Sequence, residues 1–280
     1  MAHCVVPAAE EILDKEFPVL DKGFVRLVDY LGGDERIVQA ARVSYGRGTK
    51  SYREDRGLIG YLLRNRHTSP FEQVVFTFHV KLPIFVARQW VRHRTARLNE
   101  ISGRYSVMKD EFYVPSARDL APQSADNKQG RSGEALSREK AQEVLDLFAA
   151  DQGRAYENYT RLLDDVAREI ARINLPLSLY TEWYWQIDLH NLLHFLRLRL
   201  DAHAQKEIRL YAEVLFDIMK KVCPLTAEAF EEYELGGAAF SAKEFAALKK
   251  MLAGGSIESC GLSGKDLERF REKLSSGRQV

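Results

Sequence analysis

Apolar and polar residues alternate most clearly over residues 73–81, where one face of the segment is apolar. The apolar residues of that face are Val74, Phe76, Phe78 and Val80. A period of two predicts a half-buried strand, because successive side chains of a strand point to opposite sides. Residues 23–31 alternate in the same way before Gly32 and Gly33, which predicts a second strand.

A period of 3.6 residues predicts helices in much of the remaining chain. The predicted helical segments are 37–43, 57–65, 83–91, 138–173, 188–200 and 204–222. Ser137 and Asp188 are expected to be N-caps, because their side chains can accept hydrogen bonds from the first turn of a helix. Gly153 is a candidate break in the longest segment, and Pro224 is expected to end the last one.

Two regions differ from the main pattern. Residues 115–137 are polar, lack periodicity and contain several glycines and prolines, which predicts a mobile surface loop. Residues 240–252 and 262–274 predict one or two added helices after the core. The expected organisation is a main domain at 1–235 and a helical extension at 236–280.

Composition limits the class of protein. The 280 residues are 45% hydrophobic and 29% charged, which is typical of a folded globular protein and excludes dominant disorder. Lys and Arg number 41 against 40 Asp and Glu, so the near-neutral chain is not expected to bind nucleic acid or membrane surfaces through its overall charge. The three cysteines form neither a disulfide framework nor a zinc pattern, and no long apolar run predicts a membrane span. A cytoplasmic location is therefore expected.

Positive charge is concentrated in residues 92–105, which carry Arg92, Arg94, Arg97 and Arg104. Guanidinium groups match phosphate oxygens in pairs, and the Ser102-Gly103 step allows a ligand to approach the backbone. The preceding apolar helix predicts that these arginines lie beside the core and hold a phosphorylated ligand. The alternative is a solvated helix face, or non-specific contact with nucleic acid.

The same stretch resembles a known family. Arg92-His93-Arg94 followed after seven residues by Ser102 is similar to the signature of the flavin-dependent thymidylate synthases. Further similar segments follow the family order, and the resemblance extends over about residues 20–233. These segments are 67–72, 76–80, 85–90, 99–100, 102–105, 175–176, 196–199 and 203–205.

This resemblance implies an α+β fold with an antiparallel or mixed sheet and long helices, assembled as a homotetramer. It implies that FAD and dUMP bind where subunits meet. NADPH would reduce FAD, methylenetetrahydrofolate would supply a one-carbon unit, and dUMP would become dTMP. No nucleic-acid or membrane partner is implied.

Two sets of binding residues follow from the resemblance. The set expected to bind dUMP is Gln89, Trp90, Val91, Arg92, Glu100, Ile101, Ser102, Gly103, Arg104, Arg172 and Arg199. The set expected to bind FAD is His67, Ser69, Arg92, His93, Arg94, Glu100, Asp188, Leu189, His190 and His194. Arg172 would reach the nucleotide from another subunit, and its alternative role is a charge on a helix surface.

Two of these positions depart from the family pattern, because Asp188 and His190 stand where many members carry Asn and Arg. His190 and His194 are four residues apart, as in some metal sites, but no Glu lies at the spacing of a zinc-protease helix. No metal site is therefore expected.

Arg199 is the expected catalytic residue. A guanidinium stays protonated at any working pH, so at the uracil carbonyl edge it can stabilise negative charge as C5 becomes nucleophilic. The alternative is a helix-surface pair with Asp188 or Asp201.

Two other side chains could be taken for nucleophiles. Ser102 lacks a neighbouring base in the sequence, so it is interpreted as a hydroxyl that orients substrate. Cys223 precedes a proline at the end of an amphipathic helix, which favours a buried structural thiol.

Two further functions compete with the enzyme. One is a non-catalytic nucleotide- or RNA-binding module, in which residues 88–104 contact backbone phosphate and Trp183 or Trp185 stacks on bases. The other is a helical scaffold, which does not account for arginines beside a core.

Overall fold

A five-stranded antiparallel sheet forms the centre of the structure, a computed structural model that describes residues 4–43, 52–125 and 130–276. Its strands are β1 (Glu16–Val19), β2 (Gly23–Leu31), β3 (Val75–Pro83), β4 (Arg97–Glu100) and β5 (Tyr180–Asp188). They lie in the order β1-β2-β3-β5-β4. The α+β class with an antiparallel sheet is confirmed.

The two longest pairings place one face of the sheet in the core. Phe78 lies opposite Trp185 and Val80 lies opposite Trp183 in the β3–β5 register, and these four side chains are buried. The strand predicted from residues 23–31 coincides with β2, and the alternation over residues 73–81 is confirmed in β3.

Helices cover the buried face and connect the strands. The helices in the first hundred residues are α1 (Pro7–Glu10), α2 (Asp34–Ala41), α3 (Tyr52–Arg64) and α4 (Ile84–Trp90). The later helices are α5 (Arg138–Leu162), α6 (Arg168–Ala171), α7 (Leu189–Arg199), α8 (Lys206–Val222), α9 (Pro224–Phe230), α10 (Ala242–Leu252) and α11 (Gly264–Ser276). Ser137 and Asp188 cap α5 and α7 through their side chains, as predicted.

Periodicity assigned no element to β4 or β5. Strand β5 alternates buried Trp183 and Trp185 with Tyr184 and Gln186, but its aromatic and polar side chains obscure the contrast on which the period depends. Strand β4 is exposed along its whole length, so nothing in its composition separates it from a loop. It forms because it pairs with the edge of β5.

The helix predicted over residues 138–173 is shorter and less buried than expected. Gly153 lies inside the continuous helix α5, which ends at Leu162, and Ile173 falls in a later 3-10 turn. Leu147 is 58% exposed and Ile173 is 69% exposed. The apolar period is present and Tyr159 is buried, but in the single chain many of the other apolar side chains of the period face outward.

The end of α7 lies close to the predicted end at residue 200. The helix stops at Arg199, and Leu200 is its C-cap. His203 lies in the loop that follows, where its backbone N–H and its ring both contact Asp201.

An aromatic cluster centred on Trp90 joins the sheet to α7 and α8. The Trp90 ring lies 5.1 Å from Trp185, 4.7 Å from Phe195 and 5.9 Å from Tyr211, measured between centroids. Tyr211 donates a hydrogen bond to the backbone carbonyl of Lys81, so helix α8 is fixed to β3. These contacts place the ends of α4 and α7 side by side.

Hydrogen bonds and ion pairs connect the described part of the polar segment 115–137 to the rest of the protein, and its expected mobility stays a prediction; residues 126–129 lie outside the described residues. A 3-10 turn covers Ala117–Asp119. The Arg131 guanidinium donates two hydrogen bonds to Glu207 at the start of α8. The segment lacks apolar periodicity because ion pairs hold it to the protein, and these leave no hydrophobic pattern.

The end of the chain has a hydrophobic cluster of its own. Ala247, Cys260 and Phe270 are buried together between α10 and α11, and the Phe240 ring packs 6.1 Å from that of Phe270. Lys273 pairs with Glu244 within the same segment. The two expected added helices are confirmed, while the boundary at residue 236 stays a prediction. Within the described ranges, no helix has both the length and the apolar character needed to cross a membrane.

Replacing Phe270 with Ala is expected to unfold the C-terminal segment while the sheet stays folded. Removing a buried Phe costs about 3–5 kcal/mol, which is more than a core of this size can lose. Hydrogen–deuterium exchange of α10 and α11 should rise to that of an unfolded chain. The matched control is Phe245→Ala, since Phe245 is 49% exposed. Faster exchange in β3 and β5 of the Phe270 variant would instead show that the segment supports the main core.

Candidate functional site

Arg199, the predicted catalytic residue, ends α7 and lies half-buried beside His93. Its Nε–H donates a hydrogen bond of 3.1 Å to Nε2 of His93. Asp188 and Asp201, the alternative partners, are instead bonded to residues next to them in the chain. The Arg199 guanidinium is therefore oriented by an imidazole from the end of α4.

His93 is held as a neutral ring. Burial, together with the neighbouring Arg199 and His194, lowers the pKa of His93 to about 4. Because Nε2 accepts the bond from Arg199, the single proton of the neutral imidazole is on Nδ1. The ring also packs 4.8 Å from Phe195, measured between centroids. A neutral acceptor can lie against the guanidinium without charge repulsion.

A cavity of about 170 Å³ adjoins this pair. His194, whose ring lies 5.8 Å from that of His93, is one of its lining residues. The other polar lining residues are Arg66, His67, Thr68, His190, Arg197 and Glu234, and the apolar ones are Leu62, Leu63, Phe71, Leu193 and Phe230. Three residues predicted to bind FAD, namely His67, His190 and His194, therefore line one cavity.

Gln89, also predicted to bind the nucleotide, lies one residue before the end of α4. Its side-chain Nε2 donates to Oε1 of Gln205, in the loop between α7 and α8. Gln89, His93 and Arg199 thus come from the ends of α4 and α7, which the Trp90 cluster holds together.

A second group of predicted residues lies at the turn after β4. The backbone N–H groups of Tyr105 and Ser106 both donate to the Ser102 carbonyl, and the Ser102 hydroxyl accepts from the Arg104 N–H. A Cβ atom added to Gly103 would lie 3.0 Å from Cδ of Arg172. A side chain at position 103 would therefore push Arg172 away from the turn by a few tenths of an ångström.

Ion pairs and hydrogen bonds hold the turn in place. Arg104 pairs with Glu169 at 3.3 Å, and the Met108 backbone bonds the hydroxyls of Tyr156 and Tyr159 on α5. Glu100, at the end of β4, accepts a 2.6 Å hydrogen bond from the Thr181 hydroxyl. The side chain of Arg172 lies against this turn within its own chain, and its role in binding the nucleotide stays a prediction.

The arginines of residues 92–105 do not lie beside the core as predicted. Arg92, Arg94, Arg97 and Arg104 are exposed in the single chain. The apolar helix before them turns its buried side, Val86, Ala87 and Trp90, inward and ends before Arg92. The sequence located the charge correctly but not its burial.

Several other predicted residues have limited access to a ligand. The side chains of Trp90 and Leu189 are fully buried in the core, so only their backbones could contact one. Val91 and Ile101 are partly exposed, and Ser69 is exposed. Trp183 and Trp185 are each 1% exposed, which removes the stacking surface required by an RNA-binding module.

The two departures from the family pattern have different surroundings. Asp188 accepts hydrogen bonds from the backbone and side chain of Asn191, so its carboxylate is used to cap α7. His190 faces the cavity beside His194 and Arg197. The negative charge of Asp188 is therefore satisfied within the helix end rather than directed into the cavity.

Sequence reasoning missed residues that support the site. Gln205 is in a segment that resembles the family, but its bond to Gln89 could not be read from spacing. Thr181 lies in a stretch to which periodicity assigned no element, Glu207 lies in a segment interpreted only as a helix, and Arg131 lies in the segment expected to be mobile. Each acts through a partner more than 70 positions away, which no local pattern reports.

Cys223 is fully buried, and burial raises its pKa well above the usual range. The prediction of a buried thiol is confirmed, and a thiol in this state is a poor nucleophile because the thiolate is the reactive form. In the parts of the chain that the structure describes, no three His, Cys, Asp or Glu residues are grouped so that they could hold a metal ion.

Comparison with known proteins places the chain among related sequences and structures. The family model described as "Thymidylate synthase complementing protein" matches residues 26–225, and that described as "Thymidylate synthase ThyX C-terminal domain" matches residues 238–280. A flavin-dependent thymidylate synthase of Treponema denticola is 67% identical over 96% of this chain and 100% of its own length. One of Treponema pallidum is 62% identical over 100% of this chain and 91% of its own length.

A solved structure is also similar. The UMP/dUMP methylase PolB from Streptomyces cacaoi, bound with 5-Br dUMP, has a TM-score of 0.69 and 37% sequence identity. The match covers 78% of this chain and 98% of that one.

The His93 ring is expected to stay neutral down to about pH 4. Because its folded pKa is below the unfolded value of about 6.5, the folded state binds fewer protons, and stability should fall as pH drops from about 6.5 towards 4. Imidazole nitrogen NMR should show His93 with its proton on Nδ1 at pH 6, assigned by comparison with His93→Gln. A titration midpoint near 6.5 would contradict the buried neutral acceptor.

Proposed function

The chain belongs to the family of flavin-dependent thymidylate synthases, and from this premise we propose how its residues convert dUMP to dTMP. The enzyme methylates dUMP and depends on a flavin. The finer part of the proposal is that the flavin is FAD, that NADPH reduces it, and that methylenetetrahydrofolate donates the carbon. The observation that carries the proposal is the Arg199–His93 pair, which adjoins the cavity lined by His67, His190 and His194.

Arg199 is proposed to act on the uracil ring. Methylation requires C5 of dUMP to become electron-rich, and the negative charge is shared with the carbonyl oxygen and N3 of the ring. Because Nε of Arg199 is bonded to His93, the terminal guanidinium nitrogens are the ones proposed to face the ring. A fixed cation at this edge stabilises the charge as it develops, at no cost of reorientation.

The remaining nucleotide contacts are proposed to come from two groups. Arg104 and Arg172, which flank the Ser102-Gly103 turn, suit the phosphate, since guanidinium groups bind phosphate in pairs of hydrogen bonds. Gln89 and Arg92 lie at the end of α4 beside the Arg199 group. Glu100 and the backbone at Trp90, Val91 and Ile101 complete the proposed set.

The cavity fits part of a flavin dinucleotide. Its apolar floor suits a planar ring, and Arg66, Arg197 and the histidines His67, His190 and His194 supply hydrogen-bond donors for ring or phosphate oxygens. When bound, the flavin supplies the hydride that reduces the transferred carbon to a methyl group. Ser69, Arg92, His93, Arg94, Glu100 and the backbone at Asp188 and Leu189 are the other proposed contacts.

No cysteine nucleophile is part of the proposal. Cys223 is buried with a raised pKa, and the Ser102 hydroxyl accepts a hydrogen bond from its own turn. Activation of C5 is therefore assigned to the Arg199 charge rather than to a covalent bond with the enzyme.

We propose that complete sites form between subunits of a homotetramer. Arg172 is followed directly by Ile173, which is 69% exposed, and other large apolar side chains of this region are exposed as well. They are Leu147, Phe148, Leu162, Ile170 and Leu177. Apolar surface of this extent marks an interface, and burying it against a second copy would bring the Arg172 group of one subunit to the Arg199 group of another.

The domain division is also proposed to hold. Residues 1–235 carry every proposed ligand contact, and residues 236–280 form the helical extension with its separate core. A cytoplasmic location is proposed from the unpaired cysteines, which suit a reducing compartment.

Tritium release from C5-labelled dUMP, measured with FAD, NADPH and methylenetetrahydrofolate, tests the activity. Arg199→Ala should reduce turnover by about 100-fold or more, because it removes charge stabilisation made at the reacting ring. Flavin content, read from absorbance, should stay near the wild-type value. Arg197→Ala, two positions away on α7, is the comparison variant, and it should lower flavin content more than it lowers turnover per bound flavin. Equal loss of turnover and flavin in Arg199→Ala would assign the residue to assembly instead.

Mixing two inactive variants tests the subunit arrangement. Arg199→Ala and Arg172→Ala damage different groups, so mixed tetramers should contain intact sites and recover about a quarter of wild-type activity by random assortment. A mixture of Arg199→Ala and Gln89→Ala, which damage the same group, should show no activity beyond that of the two variants measured separately. No recovery in either mixture, when mass spectrometry shows mixed tetramers, would place the whole site in one subunit.

A further inference from the structure

We infer that Arg131 is a positioning residue for nucleotide binding, because hydrogen bonds link it through Glu207 and Gln205 to the amide of Gln89. The inference rests on the proposed role of Gln89 in binding dUMP. It assigns a function to the segment 115–137, whose sequence gave no sign of one.

The first link is an ion pair between Arg131 and a buried carboxylate. Both Nη2 bonds of Arg131 go to the Glu207 carboxylate, at 2.7 Å to Oε1 and 2.9 Å to Oε2. The Glu207 side chain is only 5% exposed. Arg131 also donates through Nη1 to the Asp119 carbonyl at 2.7 Å, so its guanidinium is fixed on both sides.

The second link is Gln205. Burial opposes the charge on Glu207, but hydrogen bonds from Arg131 and from the Gln205 side chain outweigh it and hold the pKa of Glu207 below the usual range. An ionised carboxylate only accepts hydrogen bonds, so Gln205 must present its NH2 group to Glu207. Its Oε1 is then directed to Nε2 of Gln89, from which it accepts a bond.

The orientation of each amide follows from the one before it. The negative charge of Glu207 attracts the NH2 group of Gln205, which turns the Gln205 oxygen towards Gln89. That oxygen accepts from the NH2 group of Gln89, so the Gln89 oxygen faces away. The oxygen of an amide only accepts hydrogen bonds and its NH2 group only donates them, so this order of partners specifies which end of each amide faces the next. Gln89 is thus presented to a ligand in one orientation.

Hydrogen bonds within the loop between α7 and α8 make it move as one piece. Arg209 donates to the Ala202 carbonyl at 3.0 Å, and the Ala204 N–H donates to the Asp201 carbonyl at 3.0 Å. The loop begins next to Arg199 and ends at Gln205. These internal bonds connect the loop to itself and to α8. Its contacts with another part of the chain are made at the start of α8.

The segment 115–137 holds the loop at that place. Lys206, the first residue of α8, pairs with Asp119 from the segment, and Glu207 pairs with Arg131. Residues 121–123 and 130–131 face residues 202–206 across a polar cleft of about 480 Å³. The segment therefore braces the loop without entering the core.

Replacing Arg131 with Met should raise the KM for dUMP roughly tenfold and leave kcat within about twofold, because the Gln89 amide is no longer held in one orientation. The measurement is tritium release by the full-length, flavin-loaded enzyme at varied dUMP. Flavin content should be unchanged. Arg131→Lys keeps one charge but not the paired bonds, and it should give an intermediate KM.

Three comparisons separate this role from general damage to the fold. Arg118→Met makes the same substitution at an exposed position of the same segment and should leave KM unchanged. In a Gln89→Ala background, Arg131→Met should raise KM no further, since the residue that it positions is gone. Glu207→Gln removes the charge without changing size, and it should reproduce the KM rise if Arg131→Met does not fold.

The inference is overturned if Arg131→Met, or Glu207→Gln in its place, binds dUMP with the wild-type KM. It is also overturned if the rise in KM persists at full size in the Gln89→Ala background. A wild-type enzyme that releases no tritium from dUMP would refute the proposed function, and with it this inference, before any variant is compared.

Discussion

The site depends on a guanidinium that is held by an uncharged partner. Arg199 ends a helix, where its side chain would otherwise be free to turn towards solvent or an acidic neighbour. A carboxylate would fix it more strongly but would also neutralise it, and the charge would then be unavailable to a substrate. The imidazole of His93 orients the group and leaves its charge intact, provided that burial keeps the ring neutral.

That arrangement in turn requires the core beneath it. His93 packs on Phe195, and Phe195 packs on Trp90 and Trp185, which belong to α4 and β5. The paired register of β3 and β5 therefore determines where α4 and α7 end, and so where the two side chains meet. The residues proposed to do the chemistry are partly exposed, while those that locate them are among the most deeply buried of the described residues.

The sequence predicted the parts of this structure that have a local signature. Strands β2 and β3, the caps at Ser137 and Asp188, and helices α7 and α8 each follow from period or capping chemistry. Strand β4 could not be predicted in this way, because it is an exposed edge strand without apolar alternation. It forms only because it pairs with β5. The family resemblance identified the candidate residues of the site. It could not show that Arg172 lies against Gly103, or that the segment around Arg131 is held by ion pairs. Those depend on contacts between distant positions, and charged pairs leave no periodic trace.

Gly103 shows how a residue without a side chain can limit which substitutions a turn tolerates. A single added carbon would meet Cδ of Arg172 and Sδ of Met108, each at 3.0 Å. Arg172 could avoid it only by moving away from the turn, and Met108 is held by two tyrosine hydroxyls through its backbone. In a library of random substitutions, position 103 should therefore tolerate fewer replacements than the serine and arginine on either side of it, although those two carry the functional groups.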